Sequence, residues 1–213
     1  MQTNWSWVGK ECLCVVEDQG KCWACWAFVA AEAITALYHI KLKKMKLLSK
    51  QHVIDCLLSV FKTSKNIRYH EETGCYTNHY NNYYQFAMNE GVYSDASYPY
   101  VDKRGNCRNL PNEEKTKIKG FKKVDNLDMG KKGIEELIRK QPISGCVKLV
   151  DSFQGHLGKD IYMDQIEKEI HFEKLLKSGN QSSVERHVVF IILIECVRPL
   201  SVNGPGPLTQ QEQ

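Results

Sequence analysis

The stretch DQGKCWACWAF, residues 18–28, sets Cys22 and Cys25 three apart directly after a glycine turn. Three chemistries use cysteines placed in this way. Cys12, Cys14, Cys22 and Cys25 together would supply four thiolates to zinc, although C-x-C-x7-C-x2-C is not a usual zinc spacing and one pair would have to bend sharply. A Cys-x-x-Cys pair ahead of a helix would suit a thiol oxidoreductase, but that chemistry also asks for a β-strand immediately upstream, and VVEDQGK offers at most a short one. The third reading separates the two residues. If a helix begins at Cys25 or Trp26, the Cys25 sulfur lies at a helix N-terminus, whose partial positive charge favours the thiolate a nucleophile needs. Cys22 would then be available to pin the loop by a disulfide. Gln19, just before the turn, could aim its side-chain amide at the same point as the Cys25 backbone N–H, and two such donors make an oxyanion hole for acyl transfer.

A thiolate nucleophile also needs an imidazole to form an ion pair and to protonate the leaving amine. Seven histidines are available. His39 and His52 sit in helical runs and read as face or packing residues. His70, His79, His156 and His171 lie in polar, loop-like surroundings. His187 heads HVVFIILIE, a strand apolar on both faces that would hold a ring rigidly across a cleft.

The positioning elements follow from periodicity and capping. WAFVAAEAITALYHIKL, residues 26–42, is apolar around most of its circumference and predicts a helix buried on nearly all sides. A second helix starts after Ser49, whose hydroxyl can cap KQHVIDCLL. NHYNNYYQFAMNEG predicts a third, closing at Gly91. Beyond YPY and the polar stretch from Arg104 to Lys117, strand-like pieces dominate: IKGFKKV, PISGCVKLV and VVFIILIECV. A helical first half and a β-rich second half predict two lobes with a cleft between them, a common place for a ligand site.

Composition excludes several functions. With 29 Lys plus Arg against 25 Asp plus Glu in 213 residues, the net charge of +4 is too mild to mark a nucleic-acid surface. The lysines at Lys41, Lys43, Lys44 and Lys46, and from Lys115 to Lys123, read as solvated faces. No window of about 18 apolar residues suggests a membrane span, and no secretory signal opens the chain. Nine cysteines nevertheless point to an oxidising compartment.

WVGKECLCVVEDQGKCWACWAF resembles the active-site segment of the papain family of cysteine peptidases, Gln-Gly-x-Cys-Gly-Ser/Ala-Cys-Trp-Ala-Phe, a local cysteine signature of that family. LLSKQHVIDC is similar to the family's Leu-Ser-Glu-Gln-x-Leu-x-Asp-Cys, ETGC to its Gly-Cys, and NEGVYSDASYPYVDKRGNC to its Gly-Ile-x-x-Glu-x-x-Tyr-Pro-Tyr followed by Cys. IRKQPISGCVKLVDSFQ resembles Gln-Pro-Val-Ser-Val, and the likeness weakens after Gln154. The resemblance implies an α+β, papain-like two-lobe fold: a helical left lobe over 1–108 with the nucleophile, a β-rich, barrel-like right lobe over 109–205 with the histidine, incomplete at its end, and a disordered tail over 206–213. It implies Cys25 as nucleophile, His187 as general acid/base and Gln19 as oxyanion donor, with disulfides Cys22–Cys75 and Cys56–Cys107. Cys12, Cys14, Cys146 and Cys196 have no counterpart in the family and are expected as buried thiols.

The departures from the family pattern bear on substrate. Trp23 replaces a Gly beside the nucleophile. Tyr76, Thr77 and Asn78 stand where the family carries Asn-Gly-Gly, whose glycines let a substrate strand approach. Arg186 replaces the Asn or Asp before the histidine, and its charge would disfavour an imidazolium. Trp23, Thr77, Asn78, Cys146 and Arg186 are therefore the residues expected to line the substrate. The charged segment from Met163 to Val184 is unlike the family's short turn. Asn203, in VNGPG, is the only asparagine after His187 and the candidate to orient it, with Pro205 in place of the family's shielding Trp.

The expected function is peptide-bond hydrolysis through a Cys25 thioester, by a monomer that needs no cofactor or metal and meets peptide or protein substrates and cystatin-like inhibitors, but no nucleic acid or membrane. The alternatives are a catalytically impaired relative that binds peptides or inhibitors and, more distantly, a thiol oxidoreductase using Cys22 and Cys25. By resemblance the compartment is a vacuole, lysosome or the exterior; with Met1 as the true start and no signal peptide it would be the cytoplasm.

Overall fold

The computed structural model describes residues 6–7, 9–15, 17–61, 67–124, 126–148 and 186–190, and for 126–131, 146–148 and 186–190 the course of the backbone. Four helices and two strands follow in chain order: α1 (Cys25–Leu42), α2 (Lys50–Val60), α3 (Tyr80–Asn89), α4 (Asn126–Lys140), β1 (Ser144–Lys148) and β2 (Arg186–Phe190).

α1 is the axis of the core. Its first twelve residues include Trp26, Ala27, Phe28, Val29, Ala30, Ala31, Ile34, Thr35 and Ala36, all buried. The apolar girdle read from the sequence is needed because α2, α3, β1 and β2 all lie against this one helix. By length and composition α1 would also qualify as a membrane span, contrary to the expectation that no such window exists. Trp26 to Ile34 nevertheless contribute apolar side chains to the core, while Leu42 at the end of the helix is exposed.

α2 begins as expected, with the Ser49 hydroxyl accepting the His52 N–H at 2.9 Å. The same hydroxyl donates to the Tyr98 carbonyl. α3 is capped by the imidazole of His79, whose Nδ1 accepts the Asn81 N–H at 3.1 Å. It closes near Gly91, whose φ of +76° suits glycine, and a Cβ there would press on Lys115 at 2.8 Å. A large share of the core is tyrosine, and the buried hydroxyls find partners: Tyr76 donates to the Ile54 carbonyl and Tyr83 to the Ser49 carbonyl, both at 3.0 Å, and Tyr98 to Asp55 at 2.8 Å. Asp55 is the hub of this layer, since it also accepts from Gln51 and from the Gly105 N–H, both at 2.7 Å, and so clamps the chain after YPY onto α2. Two disulfides, Cys22–Cys75 and Cys56–Cys107, tie loops of 53 and 51 residues in the pairing that the resemblance implies.

Of the two roles read from the sequence for His52, helix face or packing, the structure gives packing. Its ring lies among those of Phe86, Tyr93 and Tyr98 and is 2% exposed. Burial, with the Lys115 ammonium second, pushes its imidazole down to about 4. An unfolded chain takes up this proton near pH 6.5, so between the two values protons favour the unfolded state. The stability that His52 confers is complete above about pH 6.5 and is lost as pH falls through about 4, a change of about 3 kcal/mol. A His52→Gln chain should therefore show a flatter dependence of its urea midpoint on pH over this window. Equal slopes for the two chains would remove His52 as the cause.

Two expectations need correction. IKGFKKV, residues 118–124, forms no strand: Phe121 is exposed and lies tilted against Tyr84, at 5.3 Å between ring centroids, and the neighbouring chain makes only a single bridge, Val92 to Thr116. Its apolar residues Ile118, Phe121 and Val124 recur every third position rather than every second, and it pairs with no strand among the described residues. Directly after it comes α4, a helix not anticipated from the sequence, which is held at its C-terminal end by the Trp7 indole donating to the Ile138 carbonyl at 2.5 Å. The strand expected in PISGCVKLV is present as β1, and the one headed by His187 begins one residue earlier, at Arg186. The two pair antiparallel, with Val147 opposite His187 and Lys148 opposite Arg186. The rest of VVFIILIECV, the segment Met163–Val184, His156, His171, Cys196 and the tail 206–213 lie outside the described residues.

Candidate active site

The turn that delivers Cys25 is built by partners from far along the chain. Gly20 takes φ +58°, with its N–H bonded to Asp18 Oδ1 at 2.8 Å, and any Cβ at this position would run into the Asp102 carboxylate. Asp102 accepts the Cys22 N–H at 3.0 Å, and the Tyr100 hydroxyl donates to the Gln19 carbonyl at 2.7 Å. Lys21 reaches Glu72 at 2.9 Å across the same pair of loops that Cys22–Cys75 joins. Asp102 and Tyr100 are positioning residues that sequence reasoning missed. The only local signal is Asp102 itself, at φ +55°, a conformation that aspartate tolerates better than most residues.

α1 starts at Cys25, with Ala24 as N-cap and no side chain capping the first turn. The Cys25 thiol stands at the first helical position, half-buried and outside both disulfides. The unpaired N–H groups at a helix N-terminus favour a thiolate over a thiol. The other two thiols with described side chains differ in setting. Burial raises Cys12, and burial followed by the neighbouring Glu32 pushes Cys14 up to about 12. Because Cys22 is bonded to Cys75, it is unavailable as a zinc ligand or as a redox partner for Cys25, and both alternative readings of the four cysteines lose a necessary member. Among the described residues no group of three or more His, Cys, Asp or Glu is arranged to hold a metal.

The remaining site residues are placed as follows. Trp23 is 41% exposed, and its indole meets His70 edge to face at 5.2 Å, so a histidine expected in loop surroundings props the residue beside the nucleophile. The Thr77 N–H donates to the Arg68 carbonyl at 2.9 Å, and the Arg68 N–H donates to the Thr77 hydroxyl at 3.2 Å. Asn78 accepts from the His79 N–H at 2.8 Å and from Asn82 at 2.6 Å, which starts α3. The side-chain oxygen of Gln19 is buried, without a hydrogen-bond partner among the described residues. His187 and Arg186 open β2 and Cys146 lies in β1, the sheet that packs on α1. Asn203 lies outside the described residues.

A thiol at the start of a buried helix, a disulfide-tied loop in front of it and a histidine strand against the same helix define a papain-like fold. A family model described as papain family cysteine protease matches residues 1–189, and the chain belongs to that family. It is 28% identical over 144 residues to fruit bromelain of Ananas comosus, a match that covers 67% of this chain and 37% of bromelain. Thiol protease SEN102 of Hemerocallis is 30% identical over 143 residues, 67% of this chain and 36% of that protein. Among solved structures, the Ananas comosus bromelain protease in complex with the E64 inhibitor superposes with a TM-score of 0.55 at 27% identity, covering 70% of this chain and 63% of that one. The ragweed pollen cysteine protease Amb a 11 in its proform gives 0.54 at 27%, covering 65% and 38%. The chain thus spans little more than a third of the length of the curated relatives it matches.

Proposed function

We propose that this chain is a cysteine-type peptidase of the papain kind, with Cys25 as nucleophile and His187 as general acid/base across a cleft between a helical lobe, 1–108, and a β-rich lobe, 109–205. The observation that carries the reading is the half-buried Cys25 thiol at the start of α1, with β2, the strand whose sequence contains His187, lying against that same helix. In the reaction the Cys25 sulfur, its proton held by His187, attacks the scissile carbonyl carbon. The carbonyl π electrons move to oxygen, and that oxyanion is held by the Cys25 N–H and the Gln19 amide. Collapse of the intermediate breaks the C–N bond as the imidazolium gives its proton to the leaving amine. A water, deprotonated by the neutral imidazole, then hydrolyses the thioester and restores the thiol. Asn203 is assigned the task of holding the imidazole in plane. Two disulfides support a vacuolar, lysosomal or extracellular setting. The E64 bound to the bromelain relative supports an inhibitor-sensitive thiol here.

A specific observation also favours an impaired enzyme that retains binding: the Thr77 N–H, on the edge where the family's glycines stand, is already engaged by Arg68. The two readings share a reactive Cys25. At mildly acidic pH, iodoacetamide or an E64-type epoxide should modify Cys25 well before Cys12 and Cys14, as mapped by peptide mass after brief exposure. Similar rates at all three thiols would show that no ion pair forms and would overturn both readings.

A further inference from the structure

At the far end of α1 the chain reads KLKKMKL, residues 41–47, and the structure leaves these side chains out of the core. Leu42 is 54% exposed, Met45 43% and Leu47 41%, with Lys41, Lys43 and Lys44 exposed between them and Lys46 half-buried over the Tyr38 ring. The backbone is nevertheless held at both ends. Lys43 closes α1 in the left-handed conformation, its N–H on the His39 carbonyl at 2.8 Å. The Lys46 carbonyl accepts the Thr35 hydroxyl at 3.2 Å, and that hydroxyl accepts the Leu48 N–H at 3.4 Å. The Leu47 carbonyl accepts the Asp95 N–H at 2.9 Å. An ordered loop thus presents three aliphatic side chains to water, interleaved with four ammonium groups.

The charge around it is one-sided. No Asp or Glu occurs between Glu32 and Asp55 in the sequence. Among the described residues, Glu11 lies 3.9 Å from His39 and Asp95 is engaged by Lys50 at 3.5 Å. Cations alone would suit any polyanion. A single-stranded nucleic acid is gripped by aromatic stacking, and 41–47 contains no aromatic residue. Aliphatic side chains alternating with lysines are the chemistry of a bilayer interface, where the former enter the headgroup boundary and the latter meet lipid phosphate and carboxylate.

We infer that the segment Lys41–Leu47, the end of α1 and the loop after it, docks this protein onto an anionic lipid surface. The inference departs from the sequence reading of these lysines as a solvated face with no membrane partner, because sequence does not show that Leu42, Met45 and Leu47 stay outside the core. α1 is 18 residues long, about 27 Å at 1.5 Å per residue. Cys25 is at its opposite end, so docking by the loop leaves the candidate nucleophile away from the lipid. The surface therefore acts independently of whether the chain hydrolyses peptides.

The test is sedimentation of the full, disulfide-intact chain with vesicles of phosphatidylcholine alone or with about a third phosphatidylserine, at about 0.1 M salt. Binding is expected only to the serine-containing vesicles. Each lysine near such a surface is worth about fivefold, so a Lys41→Gln, Lys44→Gln chain should partition about twenty-five-fold more weakly. A Leu42→Ser, Leu47→Ser chain should also lose about tenfold. A Leu42→Trp chain, folded and otherwise unchanged, should show a blue-shifted emission on binding. The inference is overturned if the parent ignores both vesicle types. It is equally overturned if the serine changes leave binding intact or the emission of the Leu42→Trp chain does not move, since the loop would then be an ordinary polycation. Retention on heparin that survives the serine changes, without vesicle binding, would assign the loop to a sulfated polymer instead.

Discussion

Replacing Cys25 by alanine is expected to lower kcat/KM toward a dipeptidyl fluorogenic substrate by about 10³-fold or more, and His187→Ala by a similar factor. The two act as one unit: without the thiol the imidazole has no nucleophile to activate, and without the imidazole the leaving amine has no proton donor. The double variant should therefore be scarcely worse than either single one, because the losses of groups that work together do not add. Residual turnover would come from binding and from the Gln19 and backbone donors alone. The Cys25→Ala change should leave the urea midpoint nearly unaltered, since the sulfur is half-buried and in neither disulfide. Cleavage that persists in the Cys25→Ala chain within tenfold of the parent would place the chemistry elsewhere. Additive losses in the double variant would separate His187 from Cys25.

The second large effect runs upward. A chain carrying Thr77→Gly, Asn78→Gly and Arg186→Asp is expected to exceed its parent in kcat/KM by about a hundredfold. In the parent, Thr77 spends its N–H on Arg68 and receives the Arg68 N–H on its hydroxyl. Glycine at 77 abolishes the second bond and lets the backbone turn toward a substrate strand. Each hydrogen bond so gained is worth about 0.5–1.5 kcal/mol. Arg186 and Lys148 are register partners on β2 and β1, next in sequence to the His187–Val147 pair. Asp at 186 replaces a cation by an anion one residue from His187, which favours the imidazolium of the proposed ion pair. Asn78→Gly removes the acceptor for the His79 N–H and for Asn82, so α3 should fray at its start and the chain should lose about 1 kcal/mol of stability as it gains activity. If the parent already turns over peptides above about 10⁴ M⁻¹s⁻¹, within the ordinary enzymatic range, these departures are adaptations rather than damage.

What the sequence determined by itself was short in range. A helix beginning at Cys25 or Trp26, the Ser49 cap, the closure near Gly91 and a face or packing role for His52 each follow from residues within one or two turns of one another, where capping and periodicity act. The disulfide pairing was legible only through resemblance to a family, because nothing in the spacing of nine cysteines selects Cys22–Cys75 over its rivals. Tertiary structure decided the rest. Gly20 is required by the carboxylate of Asp102 and the Gln19 carbonyl is held by Tyr100, partners 82 and 81 positions away, and no local preference encodes such a meeting. The same limit explains IKGFKKV, which meets no partner edge among the described residues, and the helix α4 that follows it. It also explains Leu42, Met45 and Leu47: hydrophobicity states that a side chain would gain from leaving water, but only the fold decides whether the core has room for it or leaves it facing outward, where another surface can take it up.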